Sequence, residues 1–160
     1  MINERFIIPE MDIPEHQLAI LSMIKIGYDL CVQNPLPHCE PEQFYSMTKV
    51  EQENYLKYET KCECYRMLVF NYLVALIGYK KNDKCSIYHH PPKGKEQLVK
   101  DFVDNNKDVI DKIYISRDKV YSHFDEDFAK EIKRIEYDEV KKIIDFIYSV
   151  LLDKGNTNEI

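Results

Sequence analysis

The chain has 160 residues, enough for one domain with a sizeable core, and its four glycines and seven prolines disfavour a turn-rich β-sandwich. The formal net charge of −6 argues against broad coating of nucleic acid, which depends on neutralising phosphates, but it leaves room for a local basic site. We therefore expect a single domain over residues 1–160, in which residues 156–160 form a frayed tail.

The first predicted helix begins at Pro14, a favourable first-turn residue, and runs to about Gln33. One face of this segment is apolar, formed by Leu18, Leu21, Ile24, Tyr28 and Cys31. The stretch NPLPHCEPEQF then interrupts the helix, since it contains Pro35, Pro37 and Pro41.

A capping box formed by Thr48 and Glu51 predicts the start of the longest helix, and Gly78 predicts its end. Its apolar residues alternate spacings of three and four: Tyr55, Tyr58, Cys62, Tyr65, Val69, Tyr72 and Leu76. From Met67 onward the remaining faces are also apolar, so we expect this half of a central helix to be buried on most sides.

The next segment, residues 79–95, is predicted to be a loop rich in lysine. Its five lysines are Lys80, Lys81, Lys84, Lys93 and Lys95, against the single acid Asp83. These lysines are candidates to guide RNA toward a site, and the alternative is that they form an ordinary solvated connection.

Two helical regions complete the chain. One begins near Glu96, bends at Asn105-Asn106 and ends near His123; the other extends from Asp138 to Asp153. A polar connection joins them, and no segment alternates with a period of two. The predicted fold is all-α, an up-and-down bundle of four main helices with a short extra one.

Cysteine usage and hydropathy indicate a cytoplasmic protein without a membrane partner. Five cysteines, an odd number, and no signal-peptide pattern predict reduced thiols rather than a disulfide framework. The longest apolar run, from Met67 to Gly78, is interrupted by Asn71 and is shorter than the ~20 residues of a membrane span.

An arginine interrupts the apolar stripe of the region before His123. The stripe reads Ile110, Ile113, Arg117, Val120, Phe124. A buried guanidinium is costly, so Arg117 needs a partner, a wet cleft or a bound anion. Six residues correspond to about 240° of a helix, so Arg117 and His123 converge only if the helix ends between them or a second subunit faces them. Alternatively, Arg117 pairs with an acid of another helix and His123 complements the helix dipole.

The sequence RDKVYSHFD resembles the signature motif of the HEPN superfamily, which consists of small all-α bundles. Arg117 matches the arginine of that motif, Asp118 the polar residue after it and His123 the histidine. Lys119 and the sequence from His123 to Asp125 look most like the abortive-infection branch. The departures are Ser122 for alanine and Asp118 for the commoner asparagine. Position 125 is aspartate rather than tyrosine, so the motif does not resemble that of the HEPN toxins modified on a tyrosine by a partner nucleotidyltransferase.

The resemblance implies a four-to-five-helix HEPN-like bundle that works as a metal-independent endoribonuclease without a cofactor. Two copies of the motif would face each other in a homodimer, with Arg117 and His123 catalytic and with Asp118, Lys119, Ser122 and Asp125 supporting them. The substrate would be RNA and not DNA, because its own 2′-OH is the nucleophile. The context would be phage defence or a toxin–antitoxin pair, with an antitoxin or regulatory protein as a possible partner.

Other interpretations remain open. The superfamily includes inactive RNA- or protein-binding modules, and a helical interaction protein with a chance motif is a further alternative. A zinc site built from Cys62, Cys64, Cys85, His89 and His90 is disfavoured, because the side chains of a C-x-C pair on a helix diverge by about 200°. We therefore expect no metal.

Overall fold

Every regular element in the described part of the chain is an α-helix. The computed structural model describes residues 12–122 and 135–152, except for the side chains of 119–122. The helices are α1 (Ile13–Gln33), α2 (Pro41–Ser46), α3 (Lys49–Ile77), α4 (Glu96–Asn105), α5 (Lys107–Ser122) and α6 (Tyr137–Leu152). The predicted all-α class is confirmed, whereas the likeness of the bundle to HEPN proteins stays a prediction.

The helix ends follow local sequence signals. The Thr48 hydroxyl accepts the backbone N–H of Glu51 at 3.3 Å, and the Glu51 carboxylate accepts the N–H of Thr48 at 2.8 Å, which confirms the predicted capping box. Gly78 ends α3, as predicted. Within the proline-rich stretch, Pro41 occupies the first turn of the short helix α2, where its missing N–H has no intrahelical role.

Helix α3 lies at the centre of the bundle and packs against α1 and α5, while α6 packs against α1. The core residues of α3 include Leu73, Leu76 and Ile77, each at most 1% exposed. Helices α1 and α3 approach closely at Gly27, where an added Cβ would lie 2.8 Å from Val69 Cγ2. None of the helices in residues 12–122 and 135–152 has both the length and the apolar run that crossing a membrane requires.

The predicted bend at Asn105-Asn106 is the break between α4 and α5. The backbone N–H and side-chain amide of Asn106 both donate to the carbonyl of Phe102, at 3.0 and 2.7 Å. Lys142 of α6 donates to Asn106 Oδ1 at 2.8 Å. The asparagine thus satisfies the end of α4 and links the break to the last helix.

Candidate functional site

Arg117 lies near the C-terminal end of α5, and 27% of its side chain is exposed. The two stripe residues before it, Ile110 and Ile113, are buried as predicted. Asp118 Oδ1 accepts hydrogen bonds from Arg117 Nε at 2.8 Å and Nη2 at 2.6 Å. The guanidinium carbon also lies 5.2 Å from the ring centroid of Tyr114. Within the described residues, the arginine is therefore accommodated by the acid beside it and by an aromatic ring one turn earlier.

Tyr114 is 1% exposed, and its hydroxyl is fully engaged in hydrogen bonds. The hydroxyl accepts the backbone N–H groups of Tyr79 at 3.0 Å and Lys80 at 3.2 Å, and it donates to the carboxylate of Asp83. Burial, and secondly the bond to Asp83, raise the pKa of Tyr114 above its ordinary value. Tyr114 therefore connects α5 to the segment that follows α3.

Asp83, the single acid of the lysine-rich loop, holds the start of that loop against α3. Its Oδ2 also accepts the N–H of Lys80 at 3.0 Å. The carboxylate lies over Gly78, where a Cβ would come within 2.5 Å of Oδ2. A Cβ at position 78 would also lie 2.3 Å from the carbonyl oxygen of Val74, so glycine is needed there for close approach.

The rest of the loop is also attached to the bundle. Ile87 is fully buried, and its N–H donates to Leu76 O at 2.8 Å. The side-chain amide of Gln17, from α1, donates to Cys85 O at 3.1 Å and His90 O at 3.0 Å. Because these contacts hold the loop backbone against α1 and α3, the loop lysines project from defined positions.

A second tyrosine extends the network toward the N-terminus of α5. The Tyr79 hydroxyl donates to Asp111, and burial followed by this hydrogen bond raises the pKa of Tyr79 to about 12. The Tyr79 and Tyr114 rings meet edge to face, with centroids 5.5 Å apart. Lys80 Nζ lies 3.8 Å from the Tyr114 centroid, and Lys107 Nζ lies 5.2 Å from the Tyr79 centroid.

Three cations thus lie against two adjoining rings, and we call this group the tyrosine–cation cluster: Tyr79, Lys80, Lys107, Tyr114 and Arg117. It brings together two predictions made separately from the sequence. Arg117 came from the motif and Lys80 from the lysine-rich loop, and both contact the ring of Tyr114. Lys80 and Lys107 can attract an anion, since a ring holds each ammonium group in place without cancelling its charge.

The other four lysines predicted to bind RNA do not belong to the tyrosine–cation cluster. The loop lysines Lys81, Lys84 and Lys93 are exposed. Lys95 is turned toward α6, where its Nζ donates to the carbonyls of Ser149 and Val150, each at 3.1 Å. Lys95 is therefore engaged in capping a helix C-terminus.

The remaining residues of the motif lie at the limit of what the structure describes. Lys119 and Ser122 belong to α5, but their side chains are outside the described part of the chain. His123 and Asp125 are outside it entirely. The pairing of Arg117 with His123 therefore stays a prediction.

The cysteines and histidines considered for zinc are separated in the described region. Cys62 is buried and its thiol faces the carbonyl of Pro35 at 3.7 Å, whereas Cys64 is exposed. His89 Nε2 lies 3.0 Å from the carbonyl of Lys80. Over residues 12–122 and 135–152, no three histidine, cysteine or acidic side chains converge as metal ligands would.

Lys107, Asp111 and Tyr114 belong to the network but are not predicted as site residues from the sequence, although their spacing relative to Asp118 of the motif is a signal for them. Lys107, Asp111, Tyr114 and Asp118 follow one another at spacings of four, three and four. This spacing places them on one face of α5, beside the apolar stripe that contains Arg117. A polar stripe of this kind, which contains a tyrosine and runs beside apolar core residues, predicts that α5 contacts polar groups of another segment at the edge of the core.

Comparison of the chain with protein-family models, with curated proteins and with solved structures finds no match in any of the three.

Proposed function

We propose that this protein is a HEPN-like, metal-independent endoribonuclease whose site contains Arg117 and His123. The observation that carries the proposal is the exposure of the Arg117 guanidinium and the way its neighbours hold it. It is partly exposed, it is oriented by Asp118, and it shares the ring of Tyr114 with Lys80. A cation held in this way near the end of a helix suits a negatively charged substrate.

The chemistry that RNA cleavage requires matches the residue types of the motif. Attack by the 2′-OH needs a base for that hydroxyl, an acid for the leaving 5′-oxygen and a cation beside the phosphate. Histidine performs either proton transfer near neutral pH, and His123 has that role in the proposal. A guanidinium has five N–H donors, and Asp118 Oδ1 accepts one from Nε and one from Nη2, so among the described residues Arg117 keeps donors for a phosphate.

A composite site in a homodimer completes the proposal. One chain supplies one arginine and one histidine from the motif, whereas a two-fold dimer supplies two of each. We propose a cytoplasmic protein in phage defence or in a toxin–antitoxin pair, with a regulatory protein that silences it. RNA is the substrate and DNA is excluded, since DNA lacks the 2′-OH.

A second candidate is an inactive RNA- or protein-binding module with the same fold. The observation that favours it is the pairing of Arg117 with Asp118, which offsets the charge of the guanidinium. In this alternative, the arginine and its neighbours stabilise the end of α5 and contact a partner without reaction.

Cleavage of a fluorescent RNA by the wild-type protein and by His123→Ala and Arg117→Lys separates the two candidates. We expect His123→Ala to lose on the order of 10²–10⁴-fold in rate, the usual contribution of one general acid or base. Arg117→Lys keeps the charge and loses the planar fork, so its rate also falls. Thermal unfolding of each variant checks the fold, and a DNA of the same sequence is the control substrate.

The ribonuclease proposal further predicts 2′,3′-cyclic phosphate ends on the products and unchanged cleavage in EDTA. Light scattering at the assay concentration tests the homodimer. A wild-type protein that cleaves RNA no faster than its folded His123→Ala variant would contradict the catalytic role of His123.

A further inference from the structure

Two lysines of the tyrosine–cation cluster, Lys80 and Lys107, are exposed at one edge of the bundle. In residues 12–122 and 135–152, neither ammonium group forms an ion pair with a carboxylate. Each instead lies over a tyrosine ring, Lys80 at 3.8 Å and Lys107 at 5.2 Å from the centroid. A ring orients an ammonium group through its quadrupole and leaves the net charge in place, unlike a salt bridge.

Two acids of the same region, Asp83 and Asp111, are engaged with other groups. The Asp83 carboxylate accepts the Tyr114 hydroxyl, and the Asp111 carboxylate accepts the Tyr79 hydroxyl. The two carboxylates thus contact the hydroxyl ends of the rings, whereas the ammonium groups lie against the rings themselves. This separation leaves the cations available to an anion that approaches from solvent.

We propose that Lys80 and Lys107, together with Arg117, form a phosphate clamp that holds the backbone of single-stranded RNA beside the Arg117 site. The choice of RNA rests on the proposed function. The geometry itself points to a chain of phosphates, because Lys107 and Arg117 are ten residues apart on α5 and their Cα atoms are separated by about 15 Å. Successive phosphates along a strand can span this separation.

The clamp also accounts for how a protein of net charge −6 binds a polyanion. Binding then depends on a few lysines in one place, so its salt dependence is shallow and falls with each lysine removed. Lys80 and Lys107 are positioning residues in this proposal. They fix the strand so that a phosphodiester lies beside Arg117, and they take no part in proton transfer.

Fluorescence anisotropy with a short 2′-O-methyl oligouridylate measures this binding directly, since the probe lacks the nucleophile for cleavage. We expect Lys80→Gln and Lys107→Gln each to weaken binding about two- to fivefold, as loss of one exposed ion pair would. Each also lowers the slope of log K against log salt by about 0.7, the value for one single-strand phosphate contact. Lys80→Arg and Lys107→Arg retain the affinity.

Lys57→Gln is the matched control. It removes one exposed lysine from the N-terminal half of α3, about 30 Å along the helix from Ile77, and we expect it to leave affinity and slope unchanged. Thermal unfolding of every variant shows whether loss of a cation–π contact has altered the fold.

The outcomes separate the clamp from the ribonuclease proposal. Binding that depends on Lys80 and Lys107 more than on Lys57 supports the clamp, even if the wild-type protein cleaves no RNA. Equal effects of the three glutamine variants overturn the clamp, even if cleavage depends on His123. Absence of binding to the wild-type protein at low salt also overturns it.

Discussion

The phenolic hydroxyl of Tyr114 donates a hydrogen bond to the carboxylate of Asp83, and this contact joins α5 to the loop that follows α3. The same hydroxyl accepts the backbone N–H groups of Tyr79 and Lys80 at the point where the chain leaves α3. One buried oxygen thus fixes where the loop begins and places Lys80 over the Tyr114 ring. The contact of Lys80 with the Tyr114 ring depends on this link.

Removal of that hydroxyl in Tyr114→Phe is expected to destabilise the protein by about 1–3 kcal/mol, because the N–H of Tyr79 and the carboxylate of Asp83 lose a buried partner. Urea unfolding at fixed pH measures the change through the midpoint at constant slope. Tyr45→Phe is the control, since Tyr45 is 78% exposed. Equal midpoints for the two variants would show that the Tyr114 hydroxyl contributes nothing to stability.

The two tyrosines also predict a loss of stability at alkaline pH. Burial is the main cause that raises the pKa of Tyr79 from 10.0 to about 12, and it shifts the pKa of Tyr114 in the same direction. Because these pKa values are higher in the folded than in the unfolded protein, the stabilisation is complete below pH 10 and is lost as pH rises toward 12. Urea midpoints measured from neutral pH into this range test the expectation.

A Tyr79→Phe variant provides the comparison for the alkaline series. Burial raises the pKa of the Cys31 thiol from 9.0 to about 11, so this group also contributes to the alkaline loss. Tyr79→Phe retains Cys31 and removes one titrating hydroxyl, and its midpoint is expected to fall less steeply above pH 10. Parallel curves for the variant and the wild-type protein would refute the assignment to Tyr79.

Lys95 stabilises the end of α6, and this function is separable from RNA binding. Its ammonium donates to the carbonyls of Ser149 and Val150 at the negative end of the helix dipole. We expect Lys95→Gln to lower the free energy of unfolding by about 0.5–1 kcal/mol. Lys93→Gln, which removes an exposed lysine two residues earlier, is the control. Urea unfolding compares the two, and indistinguishable stabilities would contradict the capping role.

Signals that act over one turn of helix could be predicted from the sequence. The capping box of Thr48 and Glu51 spans three residues, and the break at Asn106 is made by an asparagine whose amide reaches back four residues. Pro41 belongs to the stretch predicted to interrupt the first helix, and it also begins α2. A proline that ends one helix also suits the first turn of another.

Contacts between distant segments could not be predicted in this way. Asp83 and Tyr114 are 31 residues apart, and Lys95 and Ser149 are 54 apart. From composition alone, Lys95 is equivalent to the other four lysines of the loop. Only the packing of the loop on α6 distinguishes it from Lys80. The periodicity at Arg117 predicts that the guanidinium has a partner, a wet cleft or a bound anion, and the structure places Asp118 beside it. The periodicity does not identify the partner, since consecutive residues are about 100° apart around a helix and do not share a face.

The pairing of Arg117 with Asp118 leads to the last prediction. Asp118 offsets the charge of the guanidinium and also fixes its orientation, through one oxygen that accepts from both Nε and Nη2. Asparagine retains an oxygen at this position and removes the negative charge. We therefore expect Asp118→Asn to bind the 2′-O-methyl oligouridylate about two- to fivefold more tightly, the inverse of losing one exposed ion-pair contact.

Asp118→Ala separates charge from orientation. It removes the same charge but leaves the guanidinium without its acceptor, so we expect affinity to rise as in Asp118→Asn while the rate of RNA cleavage falls. Both variants are expected to unfold within about 1 kcal/mol of the wild-type protein, because the pair is partly exposed. Single-turnover cleavage alongside anisotropy measures the two effects in the same samples. If Asp118→Asn and Asp118→Ala cleave RNA at equal rates, Asp118 acts only through its charge and does not orient Arg117.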